Sequence, residues 1–351
     1  MSNKKYDYLV FIGRFAPCHV GHQQVITAAL EQANNVIILV GSSYRPRTIK
    51  NPWTYHERAS MIRSTLSPGD HSRVDICPIR DYMYNDDAWI NQVQFTVNAS
   101  IFSNECRSGT LRDAKDLKIG LIGHEKDKSS FYLRLFPQWA HVEHDMNEVV
   151  HATDIRSILF QQKNPLYLKG LLPKPIFDSI GDFNKTSEFA ELVTEYNFIE
   201  QYKEMWKAAP YAPFFVTVDT IVVQSGHVLV VVRDAAPGAG LFALPGGFLE
   251  QSEYIECAAL RELKEETKID VPVKVLRGSI TKSHVFDHPL RSLRGRTITH
   301  AFLIELPPGP LPKVKGSDDA RSATWIPFNE LRSEDFFEDH WDVINFFVNI
   351  T

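Results

Sequence analysis

The chain has 351 residues, more than one compact core usually organises, and an ordinary globular composition with 44% hydrophobic and 23% charged residues. Its 38 basic and 43 acidic side chains leave a net charge of −5, which argues against nonspecific nucleic-acid binding and leaves any phosphate to local cationic sites. Cys18, Cys77, Cys106 and Cys257 form no paired framework, no apolar run approaches the ~18 residues of a membrane span, and Met1-Ser-Asn-Lys-Lys leads into a strand rather than a signal core. A cytoplasmic chain with no nucleic-acid or membrane partner is expected, and homo-oligomerisation stays open.

In chain order, residues 8–12 (YLVFI) read as a buried strand. Gly13-Arg-Phe-Ala-Pro-Cys-His19-Val-Gly-His22 follows, and residues 23–33 read as a helix. A strand, a glycine-bearing turn and a helix start make an anion site, because free backbone N–H groups and the helix dipole point at the turn. Arg14, His19 and His22 add three donors suited to phosphate. A zinc site at Cys18, His19 and His22 is the rival reading, and it lacks a matching second ligand pair. Residues 37–41 and 120–124 continue a parallel sheet, and Thr54 is placed as the N-cap of a helix holding Met61 and Ile62. Asp81-Tyr-Met-Tyr-Asn-Asp86-Asp87-Ala-Trp89 supplies acidic and aromatic groups ahead of a helix running to Val97, where Trp89 also suits a place in the core. His151-Ala-Thr153-Asp-Ile-Arg156 closes this half, with Thr153 as a helix cap and phosphate contact and Arg156 as a charge neutraliser.

Proline-bearing residues 163–175 mark a boundary, and Pro175 suits the first turn of a helix through Ile180, ended by Gly181. Residues 188–206 form a candidate linking helix broken by Pro210 and Pro213, and residues 214–223 and 228–232 read as strands. The expected division is therefore 1–182, a link over 183–211, and 212–351. Residues 247–269 (GFLEQSEYIECAALRELKEETKI) carry the strongest signal. Apolar residues recur at helical intervals from about Glu253 to Lys268, and Glu262, Glu265 and Glu266 at i, i+3 and i+4 share one face. Three crowded carboxylates repel unless a hard cation compensates, and oxygen-only ligands suit Mg2+ or Mn2+. The alternative is a solvated acidic helix face. Gly246 and Gly247 let backbone approach the cluster.

These residues match G-x5-E-x7-R-E-U-x-E-E-x-G-U, so the second half resembles the Nudix hydrolase family. The resemblance implies an α/β/α sandwich that hydrolyses a diphosphate linkage, with Glu262, Glu265, Glu266 and the Gly246 carbonyl holding metal. Glu265 and Arg261 are its implied catalytic groups, Arg261 orienting the glutamates. Lys268 stands where the pattern has a glycine in a left-handed C-cap, which costs on the order of 1 kcal/mol. The first half resembles the nucleotidyltransferase superfamily, which implies a Rossmann-like domain with ATP as substrate. Its phosphates would rest on His19 and His22, with Gly13 and Phe15 of the turn at the nucleotide and Arg14 and Arg156 acting on charge. The segment at Asp81, Asp86 and Trp89 is similar to the acceptor site of archaeal-type nicotinamide mononucleotide (NMN) adenylyltransferases, in which a tryptophan stacks on the pyridinium.

The order of the halves resembles the bifunctional NMN adenylyltransferase/Nudix hydrolases of bacteria. That family joins NMN to AMP from ATP, giving NAD and pyrophosphate, and hydrolyses ADP-ribose to AMP and ribose 5-phosphate. Arg291, Arg294 and Arg296 are then read as partners of diphosphate and ribose oxygens, against a solvated basic loop, and Asp318 or Asp319 as a further ligand or base. The histidine motif by itself also suits other phosphate monoesters such as FMN or phosphopantetheine, and the Nudix half a non-catalytic nucleotide sensor. Trp89 with its acidic neighbours, and the presence of all three glutamates with Arg261, favour the two-enzyme reading.

Overall fold

The computed structural model describes residues 4–123, 132–144, 150–316 and 320–349. The chain divides into two compact units, residues 1–193 and 194–351. No helix among the described residues is long and apolar enough to cross a membrane.

The first unit alternates strands and helices: β1 (Tyr6–Gly13), α1 (Val20–Gln32), β2 (Ala33–Val40), α2 (Tyr55–Ser64), β3 (Val74–Pro78), α3 (Asp86–Ser108), β4 (Ile119–Gly123), β5 (Ala140–Glu143), α4 (Ala152–Phe160) and α5 (Lys174–Phe183). Near-continuous apolar runs such as Tyr8 to Ile12 and Val36 to Val40 are buried on both faces, as parallel strands between helix layers require. All pairings are parallel, in the order β3-β2-β1-β4-β5. The order reverses between β1 and β4, so a crevice forms beyond their carboxyl ends, where the turn after Gly13 begins. Val93, Val97 and Ile101 repeat along one face of α3 and pack on Tyr8, Val10 and Leu39. Thr54 caps α2 through a reciprocal bond pair with Glu57.

Several boundaries differ from the sequence reading, among them the end of α3, which runs on to Ser108 rather than Val97. The helix after the histidine motif starts at Val20 rather than at residue 23, because His19 itself is the N-cap. Gly181 does not end α5, which runs on to Phe183: the buried stripe Ile176, Ile180 and Phe183 outweighs a glycine cost of about 1 kcal/mol. Helix α6 (Ser187–Met205) spans the junction of the units.

The second unit contains β6 (Phe214–Gln224), β7 (His227–Arg233), β8 (Phe242–Ala243), β9 (Gly246–Phe248), α7 (Ile255–Thr267), α8 (Val273–Gly278), β10 (Ile280–Phe286), β11 (Arg296–Glu305), β12 (Ala320–Pro327) and α9 (His340–Val348). Its mixed sheet runs β10-β11-β6-β7-β12, with β8 on β7 and β9 on β6. Strands β6 and β11 pair in parallel along all ten residues of β11. Leu260 and Leu263 of α7 pack on Val222, Leu229 and Ile304, while Ala258 and Ala259 meet Val218. Burying that stripe fixes the rotation of α7 and turns its glutamates toward β9. The helix ends on Lys268, whose φ of 44° and ψ of 31° are the left-handed cap expected of glycine.

Glu105, at the end of α3, is a buried charge that the sequence did not single out. It is 3% exposed and accepts from Tyr8 Oη at 3.0 Å, from Arg112 Nε and Nη2 at 3.0 Å each, and from Thr110. Arg112 holds its carboxyl down to about 2 against the opposing pull of burial. A depressed folded value stabilises above the ordinary carboxylate range and loses that stability as pH falls through it. Glu105→Gln should therefore destabilise the first unit by about 2 kcal/mol at pH 7, with the gap to the parent closing between about pH 4.5 and 2 in thermal or urea melts. Lys268→Gly should stabilise the second unit by about 0.5–1 kcal/mol, read as a higher melting temperature, with its catalytic rate unchanged.

Candidate functional site

In the first unit the site begins where β1 runs out. A Cβ on Gly13 would stand 3.0 Å from Phe15 Cζ, so glycine lets that ring fold back over the strand end. Phe15 takes a φ of +51°, is 1% exposed and lies 4.8 Å from the His22 ring; the Ala16–Pro17 peptide that follows is cis. The backbone N–H of His22 donates to His19 Nδ1 at 3.4 Å, and that of His19 to His22 Nδ1 at 3.3 Å. The two imidazoles, stacked with centroids 3.7 Å apart, thus form a capping box of a kind usually made by a hydroxyl and a carboxylate. Accepting at Nδ1 fixes the proton of each ring on Nε2, so both histidines are Nε2–H donors at a helix start. The zinc alternative fits this poorly, since both Nδ1 atoms are engaged and burial pushes the Cys18 thiol up to about 12.

Cations surround this turn. Arg58 of α2 is 1% exposed and donates to the carbonyls of Arg14 at 2.6 Å, Gly41 at 2.7 Å and Ser42 at 3.1 Å, tying the turn after β1 to the one after β2. Arg156 of α4 donates to Ala16 O at 2.6 Å and to Thr153 Oγ1 at 3.2 Å. Burial lowers both guanidinium values to about 10, and for Arg156 repulsion from Arg14 adds to it. Lys50 is lowered to about 8 by burial, then by Arg14, with Arg45 and Arg156 adding repulsion and Asp81 opposing it. Five cations around one carboxylate, Asp81, form a setting that an anion would relieve.

The expected cap role of Thr153 does not hold: His151 occupies the N-cap of α4 without a side-chain bond, and Thr153 accepts from Arg156 one turn on. Asp81 accepts from the Ser42 N–H at 3.1 Å and lies 3.6 Å from Arg45 Nε, so it belongs to the cationic wall. Asp86 is exposed in the first turn of α3, which Asn85 caps. Trp89 is half-buried, its ring 6.3 Å from Tyr132 and 6.0 Å from Phe136, and it packs on the core cluster. Arg45, Lys50 and Arg58 escaped the sequence reading, although the run from Arg45 to Lys50 holds three cations in six residues.

In the second unit, Arg261 organises the acidic cluster. It donates to Glu253 from Nε at 3.0 Å and Nη2 at 2.6 Å, and from Nη1 to Glu262 at 2.9 Å and Glu265 at 2.8 Å. Glu266 instead accepts from the Gly246 N–H at 2.9 Å. A Cβ on Gly246 would stand 2.1 Å from the Val218 carbonyl oxygen, so only glycine fits there, and one on Gly247 would stand 2.4 Å from Glu262 Oε1 and displace that carboxylate. Burial, with Glu262 and Asp219 adding to it, pushes the Glu266 carboxyl up to about 8, and burial also raises Glu262. Among the described residues no three acidic, histidine or cysteine groups converge as a closed cage, because Glu262 and Glu265 are turned to Arg261. An all-oxygen donor set of three carboxylates and a carbonyl, with one guanidinium shared between Glu262 and Glu265, still fits Mg2+ or Mn2+.

A cleft of about 240 Å3 opens beside Glu266 and Gly246, with Asp219, Arg291, Arg294 and His340 among its walls. Asp219, an acid inside the apolar strand β6, accepts from Thr299 and is 5% exposed. His340 Nδ1 accepts from the Leu244 N–H at 3.0 Å, and burial lowers its pKa. Arg291 departs from its expected role. Its guanidinium forks onto Asp339 at 2.9 and 3.0 Å with 5% exposure, so those donors build the wall rather than reach for diphosphate. Arg296 donates to the Asp287 carbonyl and is not among the cleft-lining residues, whereas Arg294 is. Asp318 and Asp319 lie outside the described residues.

Residues 10–158 match the Cytidylyltransferase-like family and residues 213–347 the NUDIX domain family. A nicotinamide/nicotinic acid mononucleotide adenylyltransferase of Acinetobacter baylyi is 39% identical over 193 residues, covering 55% of this chain and 94% of that protein. An ADP-ribose pyrophosphatase of Methanocaldococcus jannaschii is 37% identical over 129 residues, covering 37% of this chain and 70% of its own. A crystal structure of a bifunctional NMN adenylyltransferase/ADP ribose pyrophosphatase from Francisella tularensis, complexed with AMP and a manganese ion, superposes with a TM-score of 0.85 at 34% identity, over 98% of this chain and 99% of that one. With both units matched in the same order from end to end, the chain belongs to the family of bifunctional NMN adenylyltransferase/ADP-ribose pyrophosphatases.

Proposed function

We propose that the first unit transfers AMP from ATP to NMN, giving NAD and pyrophosphate, and that the second hydrolyses ADP-ribose to AMP and ribose 5-phosphate. The end-to-end likeness to a bifunctional relative carries this reading, and two features of this chain support it: the imidazole-capped turn ringed by cations, and the Arg261-held glutamates beside a glycine cradle.

In the first reaction a 5'-phosphate oxygen of the mononucleotide attacks the α-phosphorus of ATP in line, and pyrophosphate leaves. No covalent enzyme intermediate is needed; the work is positioning and charge stabilisation. His19 and His22 donate from Nε2 to ATP phosphate oxygens at the positive end of α1. Arg14, Lys50 and Arg156 take up negative charge on the phosphates, and Arg58 holds the two turns in register. Gly13 and Phe15 shape the floor, Thr153 orients Arg156, and Asp81, Asp86 and Trp89 border the acceptor, with the indole against the pyridinium.

In the second reaction Glu262, Glu265, Glu266 and the Gly246 carbonyl would hold Mg2+ or Mn2+. A divalent ion there supplies Lewis-acid polarisation of the diphosphate and lowers the pKa of the attacking water. Arg261 sets the rotamers of Glu262 and Glu265.

Chromatography of products from the purified chain, first with ATP and NMN and then with ADP-ribose, tests both halves; absence of NAD or of AMP would sink the corresponding one. His22→Ala should lower kcat of adenylyl transfer by about 10²–10³-fold with a far smaller change in mononucleotide affinity, and equal losses in both would assign it to binding alone. Glu265→Gln should lower Mg2+-dependent hydrolysis by about 10²-fold, and a full rate in that variant would remove Glu265 from the metal set.

A further inference from the structure

We propose that the outward face of α3 is a self-association surface, on which a second copy of this chain packs its own α3 antiparallel about a two-fold axis through Asn98 and Ala99. The inward face is already spent: Val93, Val97 and Ile101 pack in the core, and Glu105 holds its buried network. On the opposite side Asn91, Phe95, Asn98, Ala99, Phe102 and Cys106 recur at helical spacing, and all are exposed. Phe95 is 72% exposed and Phe102 68%, two turns apart on one line. Between Asp87 and Arg107 the only charged residue is Glu105, which faces inward, so about five turns of surface helix carry no outward charge. Single exposed apolar residues are ordinary; an aromatic pair on an uncharged stripe has the composition of an interface core.

What fits the stripe is the stripe itself. A two-fold contact sets a surface against its own copy, and a face without charge meets no like-charge penalty there. The axis puts Phe95 against the partner's Phe102, and Phe102 against the partner's Phe95. The small Ala99 at the crossing lets the helix axes approach to about 8–10 Å. Charge at the ends selects the direction. Asp86 and Asp87 lie in the first turn of α3 and Arg107 in the last. Antiparallel packing brings the acidic turn of one copy to the basic turn of the other and opposes the helix dipoles, whereas parallel packing stacks like on like. A lipid surface fits less well, since interfacial helices flank their apolar face with lysines and arginines. The contact strip is ~28 Å long and ~10 Å wide, so the pair buries on the order of 1,000 Å2 in total, at the low edge of specific interfaces. The dimer is therefore a weak one, with Kd in roughly the micromolar range.

Sedimentation of the full chain over a range of concentrations tests this, with the parent expected to pass from monomer to dimer. Phe95→Lys and Phe102→Glu should each weaken association by about a hundredfold or more, because each sets a charge against the partner's phenyl ring twice per dimer. Mixed in equal amounts, the two variants should associate again, within about tenfold of the parent. The mixed pair keeps one Phe–Phe contact and places Lys against Glu at the other, a pairing that only the antiparallel register makes. Both side chains point to solvent, so thermal melts and NAD formation by each variant should match the parent, which separates lost association from lost folding. A parent that stays monomeric up to about 200 µM overturns the proposal, as does a dimer that Phe102→Glu leaves intact. Single variants that dissociate and do not recover on mixing refute the antiparallel arrangement.

Discussion

Both units hold like charges together against their own repulsion, and most of the surrounding structure serves that constraint. In the first, Arg14, Arg45, Lys50 and Arg156 crowd one wall with Asp81 as counter-charge, enough repulsion and burial to bring Lys50 down to about 8. In the second, Glu262, Glu265 and Glu266 crowd one helix face, and burial carries Glu266 up to about 8. The signs are opposite, as suits a phosphate-bearing nucleotide in one case and a divalent ion in the other. Neither arrangement would persist on a pliable support, because relaxation of the side chains would dissipate it.

The support is built from backbone in each case. Arg58 spends its guanidinium on three main-chain carbonyls, so two turns from different strands move as one piece. Gly246 sits where a Cβ would collide with the Val218 backbone, and Gly247 where it would displace the Glu262 carboxylate, so β9 lies close against α7. Arg261 then divides its five N–H groups among Glu253, Glu262, Glu265 and a carbonyl, keeping the acidic face ordered.

What was legible in the sequence follows from range. The histidine turn and the glutamate face are short segments whose chemistry depends on spacing within one element, and the elements formed close to where the periodicity placed them. Thr54 as a cap and Lys268 in a left-handed conformation are likewise local facts. The bonds of Arg58 to the Gly41 and Ser42 carbonyls, the Arg291–Asp339 fork and the Tyr8–Glu105 bond join residues from 16 to 97 positions apart, and no local pattern announces them. Arg291 illustrates the point: in a run of three arginines nothing local distinguishes the one that a distant aspartate will claim from Arg294, which stays at the cleft. Gly181 misled for a related reason, since its helix is held by packing that a local stop signal does not register.

The double duty of His19 and His22 carries a consequence for how this turn tolerates change. An imidazole accepts at one ring corner and donates at another, so each residue splices a helix start to a ligand through two atoms of one rigid plane. Aspartate in either place would retain the helix cap and forfeit the donor. Lysine would retain a donor and give up the side-chain cap of α1, at a cost of about 1 kcal/mol. Scaffold and chemistry at these two positions are inherited, or lost, as a single unit.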